Sequence, residues 1–323
     1  MIDNEEIVRQ RELSYILQSI REIKEFLDDD NVNDIWCDGR GIISIKKFGD
    51  TRKDTEKIIS INTARSIIVQ IAKFTEVPID YFKFPSFEGT IPLYNARITG
   101  LLPPLTATPE FTIRKPPKII YPLEDYVEKE RLSKEHFDII CDAIKEDKSI
   151  LISGATNSGK TTFINAMLLK LHEYFPQRTL FIVEDNAEIQ SHSNYTTYVK
   201  VKRGTQQPVL ALETALRWSV NHIIFGEVRD GAVLNVLLEA WKTGHSGFCT
   251  IHAESCQITL LRLRGLLGQI FQGELPEYTK IIKLIVHLRS DKEKGVIVDE
   301  ILDPNNVNEN YIEAMYKKDI LGE

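Results

Sequence analysis

Residues 154–162, Gly-Ala-Thr-Asn-Ser-Gly-Lys-Thr-Thr, constrain the fold of this chain more than any other stretch. They fit Gly-x-x-x-x-Gly-Lys-Ser/Thr at Gly154, Gly159, Lys160 and Thr161. The apolar run 149–153 before them reads as a short buried strand, and Thr162–Leu171 after them has helical apolar spacing. A strand feeding a glycine loop into a helix is the P-loop unit, which predicts a parallel α/β sheet in the second half. The glycines let N–H groups along Ala155, Thr156, Asn157 and Ser158 turn towards phosphate oxygens, and the helix amino end adds partial positive charge. In such a cradle Lys160 reaches the β- and γ-phosphates, the Thr161 hydroxyl holds Mg²⁺, and Thr162 belongs to the same loop-to-helix step. A plain glycine-rich loop matches the pattern by chance in roughly one chain in a hundred of this length.

A length of 323 residues, 42% of them hydrophobic, suggests about two domains with substantial cores. The net charge of -7 argues against a protein whose main work is gripping nucleic acid, so direct nucleic-acid binding is not expected and charge favours protein partners. Cys37, Cys141, Cys249 and Cys256 form no CxxC pair, and neither an export signal nor an apolar run of transmembrane length is present. These features predict a cytoplasmic, reducing setting with any membrane contact peripheral.

In chain order, Arg9–Leu27 sets Leu13, Ile16, Leu17, Ile20, Ile23 and Leu27 at helical spacing. Asn33–Ile45 reads as a hairpin around Asp38-Gly-Arg-Gly41, and a second helix over Asn62–Phe74 has Asn62 as its expected cap. Thr90–Thr99 and Phe111–Arg114 read as strands of a mixed sheet. The prolines of 115–122 cannot sit inside a sheet, which places a linker at 115–123, an N-terminal α+β domain over 1–118 and a second domain over 124–323. Arg97 and Arg114 stand near that boundary and, taken alone, read as surface arginines.

Beyond the linker Ser133 caps a helix to Ile144, and strands at 150–153, 180–183, 222–225 and 248–251 alternate with helix-length segments. The tail reads as a helix giving way to short strands at 284–288, 296–302 and 311–316, antiparallel additions to that sheet. Two of the strands end in acids: Glu184, Asp185 and Glu188 after the first, Glu227 and Asp230, with Arg229 between them, after the second. Ligands of open parallel sheets bind at the carboxyl ends of strands, so these acids should face the phosphates, orienting water and supplying oxygens for Mg²⁺. His245 and His252 flank a further strand; with Cys249 and Cys256 they give a spacing that matches no structural zinc pattern.

Walker A, the Glu184-Asp185 box, a Walker B at 226–229 carrying Gly226 and Glu227 where aspartate is usual, and the histidine box at 244–255 occur in that order. The order resembles the secretion-superfamily ATPases, which include type II secretion, pilus retraction and type IV secretion motors. Residues 97–104, 111–116 and 123–126 are similar to the conjugative-transfer TrbB and VirB11 branch. The resemblance implies a RecA-like ATPase domain behind a smaller N-terminal domain that serves oligomerisation and closes on nucleotide, a homo-hexamer, and inner-membrane secretion partners. It also implies roles: Glu184 polarises the attacking water, Glu227 organises Mg²⁺ through water with Arg229 beside it, and His245 and His252 sense the γ-phosphate or signal to a neighbouring subunit. Arg97 and Arg114 match arginines that reach over the phosphates from the N-terminal domain. Two departures stand out: residues 219–222, Ser-Val-Asn-His, replace the branch's usual Arg-Pro-Asp, and the four-cysteine zinc module of type II secretion is absent. A pilus-retraction motor, a nucleic-acid translocase and a non-hydrolysing ATP switch remain the alternatives.

Overall fold

A six-stranded sheet runs through Met1–Lys118, the first of two units into which the chain divides; the second is Ile119–Glu323. The computed structural model describes residues 4–47, 51–116, 120–156, 158–291, 293–316 and 318. Part of the expected linker, 117–119, lies outside them, as does Asn157.

The first unit opens with helix α1 (Asn4–Ser19), one 3₁₀ turn (Ile20–Ile23) and α2 (Lys24–Asp28). Ile16, Ile20, Ile23 and Leu27 are buried, but Leu17, expected on the same stripe, faces solvent because at 3.6 residues per turn it stands about 100° round the helix from Ile16. The hairpin forms as β1 (Val32–Cys37) and β2 (Ile42–Lys47), where Asp38 Oδ1 accepts from the N–H groups of Arg40 and Ile42 and Gly41 takes φ +82°. An edge strand without a sequence signal, β3 (Lys53–Ile58), follows it. Helix α3 (Ile61–Phe74) is capped by Ser60, whose hydroxyl accepts from Thr63 N at 3.0 Å, and not by Asn62, which lies inside the helix. The strand expected over Thr90–Thr99 is two, β4 (Ser86–Ile91) and β5 (Ala96–Leu101), joined by a turn with Leu93 and Asn95 at positive φ. With β6 (Glu110–Arg114) the order is β3-β2-β1-β6-β5-β4, antiparallel throughout and not mixed.

The second unit begins with α4 (Leu123–Glu128) and α5 (Lys134–Lys145), the latter capped by Ser133, which accepts from His136 N. It continues through β7 (Ile150–Gly154), α6 (Lys160–Tyr174), β8 (Leu180–Glu184), β9 (Thr196–Lys200), α7 (Gln207–Ala215), β10 (His222–Phe225), α8 (Gly231–Lys242), β11 (Phe248–Ile251), α9 (Cys256–Gly268) and α10 (Tyr278–Ile281). The chain closes with β12 (Leu284–Asp291), β13 (Gly295–Leu302) and α11 (Glu309–Tyr316). The sheet order is β13-β12-β7-β11-β10-β8-β9, parallel everywhere except at β12–β13. Two tail expectations change: β12 joins β7 in parallel, and 311–316 is helical, packing Ile312 into the core that α8 and α9 cover. Alternate residues of the central strands feed cores on both faces. Ile150, Ile152 and Phe248 pack with α6, while Leu151, Phe181, Ile223 and Cys249 pack with α8 and α9.

Candidate active site

The P-loop leaves the buried strand β7 at Gly154 and enters α6 at Gly159. Both glycines are required by their surroundings. A Cβ on Gly154 would lie 2.6 Å from the Leu288 carbonyl oxygen, and Gly159 adopts φ +78° with Val296 Cγ2 3.1 Å from where a Cβ would stand. The loop is thus pinned against the β12–β13 hairpin, which no part of the motif itself encodes.

Lys160 is buried, and its ammonium donates to the carbonyls of Gly154 (2.9 Å) and Ala155 (2.7 Å) and lies 3.1 Å from His252 Nδ1. Burial pushes its pKa down to about 8, Arg229 adds to the fall, and Glu227 resists it. On the far side of the imidazole, His252 Nε2 lies 3.0 Å from Glu227 Oε1, off the line that a hydrogen bond needs. Burial, with the Lys160 charge behind it, also lowers the His252 pKa. Nδ1 faces both the Lys160 ammonium at 3.1 Å and the Gly154 carbonyl at 3.2 Å, while Nε2 stands beside Glu227. Arg229 Nη2 donates to the other Glu227 oxygen at 2.5 Å. Glu227 Oε1 is left buried without a hydrogen bond, as is Ser158 Oγ inside the loop. An unsatisfied buried carboxylate oxygen costs more than about 1–3 kcal/mol unless a ligand or metal-bound water pairs with it, so the donor set fits a Mg²⁺ ion coordinated mainly by substrate and water. Among the described residues no cluster of three or more His, Cys, Asp or Glu could hold a metal by itself.

Glu184 ends β8 and is buried. Its Oε2 accepts from the backbone N–H groups of Glu188 (3.0 Å) and Ile189 (3.1 Å). Burial still raises its pKa to about 7, with Glu188 raising it further and the two N–H groups and Lys200 opposing. A cleft of about 80 Å³ is lined by Glu184, Asp185, Arg203, Glu227, Arg229 and Asp230. Asp230 is otherwise occupied as the cap of α8, accepting from Val233 N.

The structure therefore gathers Gly154, Ala155, Ser158, Gly159, Lys160, His252, Glu227 and Arg229 at the carboxyl ends of β7, β10 and β11, with Glu184 beside them. Thr161 and Thr162 open α6. His245 is not brought there: it precedes β11, at the opposite end of the strand from His252, and its Nδ1 lies 3.3 Å from the Ala240 carbonyl at the end of α8. Arg97 and Arg114 belong to the first unit, directly opposite one another on β5 and β6. Acids hold this like-charge pair: Arg114 Nε donates to Asp34 Oδ1 at 2.8 Å and Arg97 Nη2 to Glu88 Oε2 at 3.2 Å.

Two residues of the site carry no motif. Arg203, in the loop after β9, ion-pairs with Asp185 across the cleft, and nothing in its spacing marks it. Asn165, on the second turn of α6, is buried and bonded at both ends of its amide. Its one sequence signal is an asparagine inside a helix, where that residue is a weak former.

The chain belongs to the type II/IV secretion system protein family, which matches residues 94–313. The probable conjugal transfer protein TrbB of Sinorhizobium fredii is 34% identical over 264 residues, 81% of this chain and 80% of that protein. The type IV secretion system protein VirB11 of Brucella suis biovar 1 is 26% identical, covering 94% of this chain and 93% of that one. In fold, the chain superposes on the Legionella pneumophila ATPase DotB with a TM-score of 0.66 at 21% identity, over 92% of this chain and 86% of that one. The architecture is thus the mixed α/β, RecA-like fold of secretion ATPases.

Proposed function

We propose that this protein hydrolyses ATP with Mg²⁺ at Gly154–Thr162 and converts the energy into domain motion for type IV secretion or conjugative DNA transfer. The observation that carries the reading is the Lys160–His252–Glu227–Arg229 network at the ends of parallel strands: a P-loop lysine of lowered pKa beside a carboxylate that Arg229 holds by one oxygen and whose other oxygen is buried without a hydrogen bond. ATP phosphates would take Lys160 from the Gly154 and Ala155 carbonyls, and the backbone of Ala155–Gly159, with Thr162 at the start of the helix, would wrap them. Thr161 and, through water, Glu227 would hold Mg²⁺, which neutralises charge on the β- and γ-phosphates. Glu184, poised near neutrality, would draw the proton from the attacking water, while Arg229 and His252 fix Glu227 and report on the γ-phosphate through Lys160. His245, at the other end of β11, would act towards a neighbouring subunit.

In this reading 1–118 is an oligomerisation and closing domain, and Arg97 and Arg114 reach the phosphates from it. An arginine so supplied is worth about 10³–10⁵ in rate, and ATP moves the domains only by as much as it favours the closed state. The assembly is a homo-hexamer in the cytoplasm, peripheral at the inner membrane and bound to secretion components there. Among the described residues no helix is long and apolar enough to cross a membrane.

A steady-state ATPase assay on wild type, Lys160→Ala, Glu227→Gln and Arg114→Ala tests these roles. Activity surviving Lys160→Ala sinks the catalytic site, whereas an unchanged rate in Arg114→Ala sinks only the closure. A monomer by light scattering with ATP present would count against the ring.

A further inference from the structure

We infer that Asn165 is a positioning residue for hydrolysis, tying the P-loop helix to the carboxylate of Glu184 through the loop 188–190. The hydrogen bonds form a closed path. Asn165 lies five residues after Lys160 on α6 and is 1% exposed. Its Nδ2 donates to the Glu188 carbonyl at 3.1 Å, and its Oδ1 accepts from Gln190 N at 3.0 Å. The amide thus clamps residues 188 and 190 from one side. From the other side the N–H groups of Glu188 and Ile189 converge on Glu184 Oε2. One side chain on the phosphate-binding helix fixes the peptide planes that aim the proposed base, and a shift of α6 on nucleotide binding would reach Glu184 along this path.

The clamp also has an electrostatic consequence. Two N–H groups on an ionised carboxylate favour its charged form against burial. The charged groups around Glu184 are Glu188 on its own loop, Lys200 on β9, and Asp185, Arg203, Glu227 and Arg229 along the cleft. Lys200 supports the charge of Glu184 and Glu188 opposes it. Loosening the loop weakens the N–H contacts, leaves burial in place, and drives the pKa of Glu184 up from about 7.

The inference rests on Glu184 being the base, and the experiment separates the two. The readouts are kcat and KM for ATP across pH 5.5–9, with thermal melting, on the full chain. Asn165→Ala should lower kcat about tenfold to a hundredfold, the cost of about 1 Å of misplacement, with KM within about twofold and the acid limb of kcat moved to higher pH. Glu188→Gln should move that limb to lower pH, because it removes a like charge. If Asn165→Ala melts too low to assay, the uncharged, similarly sized Asn165→Leu, which loses both bonds to the 188–190 loop while filling the space, carries the test with the same expected directions. Wild-type kcat and an unmoved limb in the assayed variant overturn the inference. Activity retained by Glu184→Gln instead overturns the base assignment, whatever Asn165 does.

Discussion

The two ends of the parallel sheet carry similar side chains in different electrostatic conditions. At the amino end, His222 is buried with Ser246 Oγ 2.6 Å from its Nδ1, and burial, aided by Arg178, pushes its pKa down to about 3. That ring stays neutral at any working pH. Around it, Asp147 pairs with Arg178 at 2.6 Å, and Asn221 Oδ1 accepts from Thr179 N and Oγ1, stitching β8 to β10. At the carboxyl end, Lys160 and Glu184 are pushed towards neutrality to about 8 and about 7, and Glu227 Oε1 has no hydrogen bond. Burial acts at both ends. Only at the carboxyl end does it leave groups poised to change charge when a polyanion arrives, which is what separates a site from a seam.

The contrast is sharpest for Glu184. Glu184→Gln should lower kcat by about 10²–10⁴, the range for a lost general base, with little change in nucleotide affinity. A stopped assay with matched nucleotide-binding curves checks both, and a loss of affinity equal to the loss of kcat would make Glu184 a structural acid.

The two histidines that flank β11 give the next effect. His252→Ala removes the ring between Lys160 and Glu227 and should cost kcat about 10- to 100-fold, the worth of a hydrogen bond to a charged group. His245→Ala should cost less, since it touches only the carbonyl of Ala240 among these groups. Equal losses in steady-state assays of the two variants would mean that the amino end also serves the reaction.

A smaller effect comes from pH. The bound phosphates favour charged Lys160, whereas the empty site holds it at about 8, so binding above that pH must take up a proton. The Kd for ATP should therefore be flat below pH 8 and rise about tenfold per unit above it, until the pKa of the bound state is reached. Titration calorimetry in buffers of different ionisation enthalpy reads the proton directly, and zero uptake at pH 9 would refute the lowered lysine.

How much of this was legible follows from where each signal is stored. The P-loop, the Ser133 cap and the parallel strands depend on neighbours within a few residues, so local pattern exposes them. Strand β3, Lys53–Ile58, and strand β9, Thr196–Lys200, are edge strands with half-exposed polar residues, and they lack the apolar run that marks their buried neighbours. The 311–316 stretch has aromatics that suit a strand, but packing on α9 decides for helix. Within the site, acids after strands announced Glu184 and Glu227, whereas the hold of Val296 and Leu288 on the P-loop and of Asn165 on 188–190 are contacts between distant segments. His245 and His252 looked equivalent because spacing shows that they flank a strand and not that its two ends face different chemistry.

The smallest effect tests the amino end as a seam. Asn221 stands in the segment that departs from the branch's Arg-Pro-Asp, and its exposed side chain binds Thr179 N at 2.9 Å and Thr179 Oγ1 at 3.0 Å. Asn221→Ala loses both bonds, but water reaches the freed groups, so the cost should be about 1 kcal/mol and not the larger penalty of a buried orphan. In a unit of this size that lowers Tm by roughly 2–4 °C. The strand register survives, because Asn221 N still donates to the Thr179 carbonyl and β8 and β10 remain paired from Leu180 to Val183. The carboxyl ends of those strands therefore keep Glu184 and Glu227 in place, and kcat and KM below the melting range should match wild type. A fall in kcat without a fall in Tm would show that the seam transmits to the site, and would collapse the distinction between the two ends.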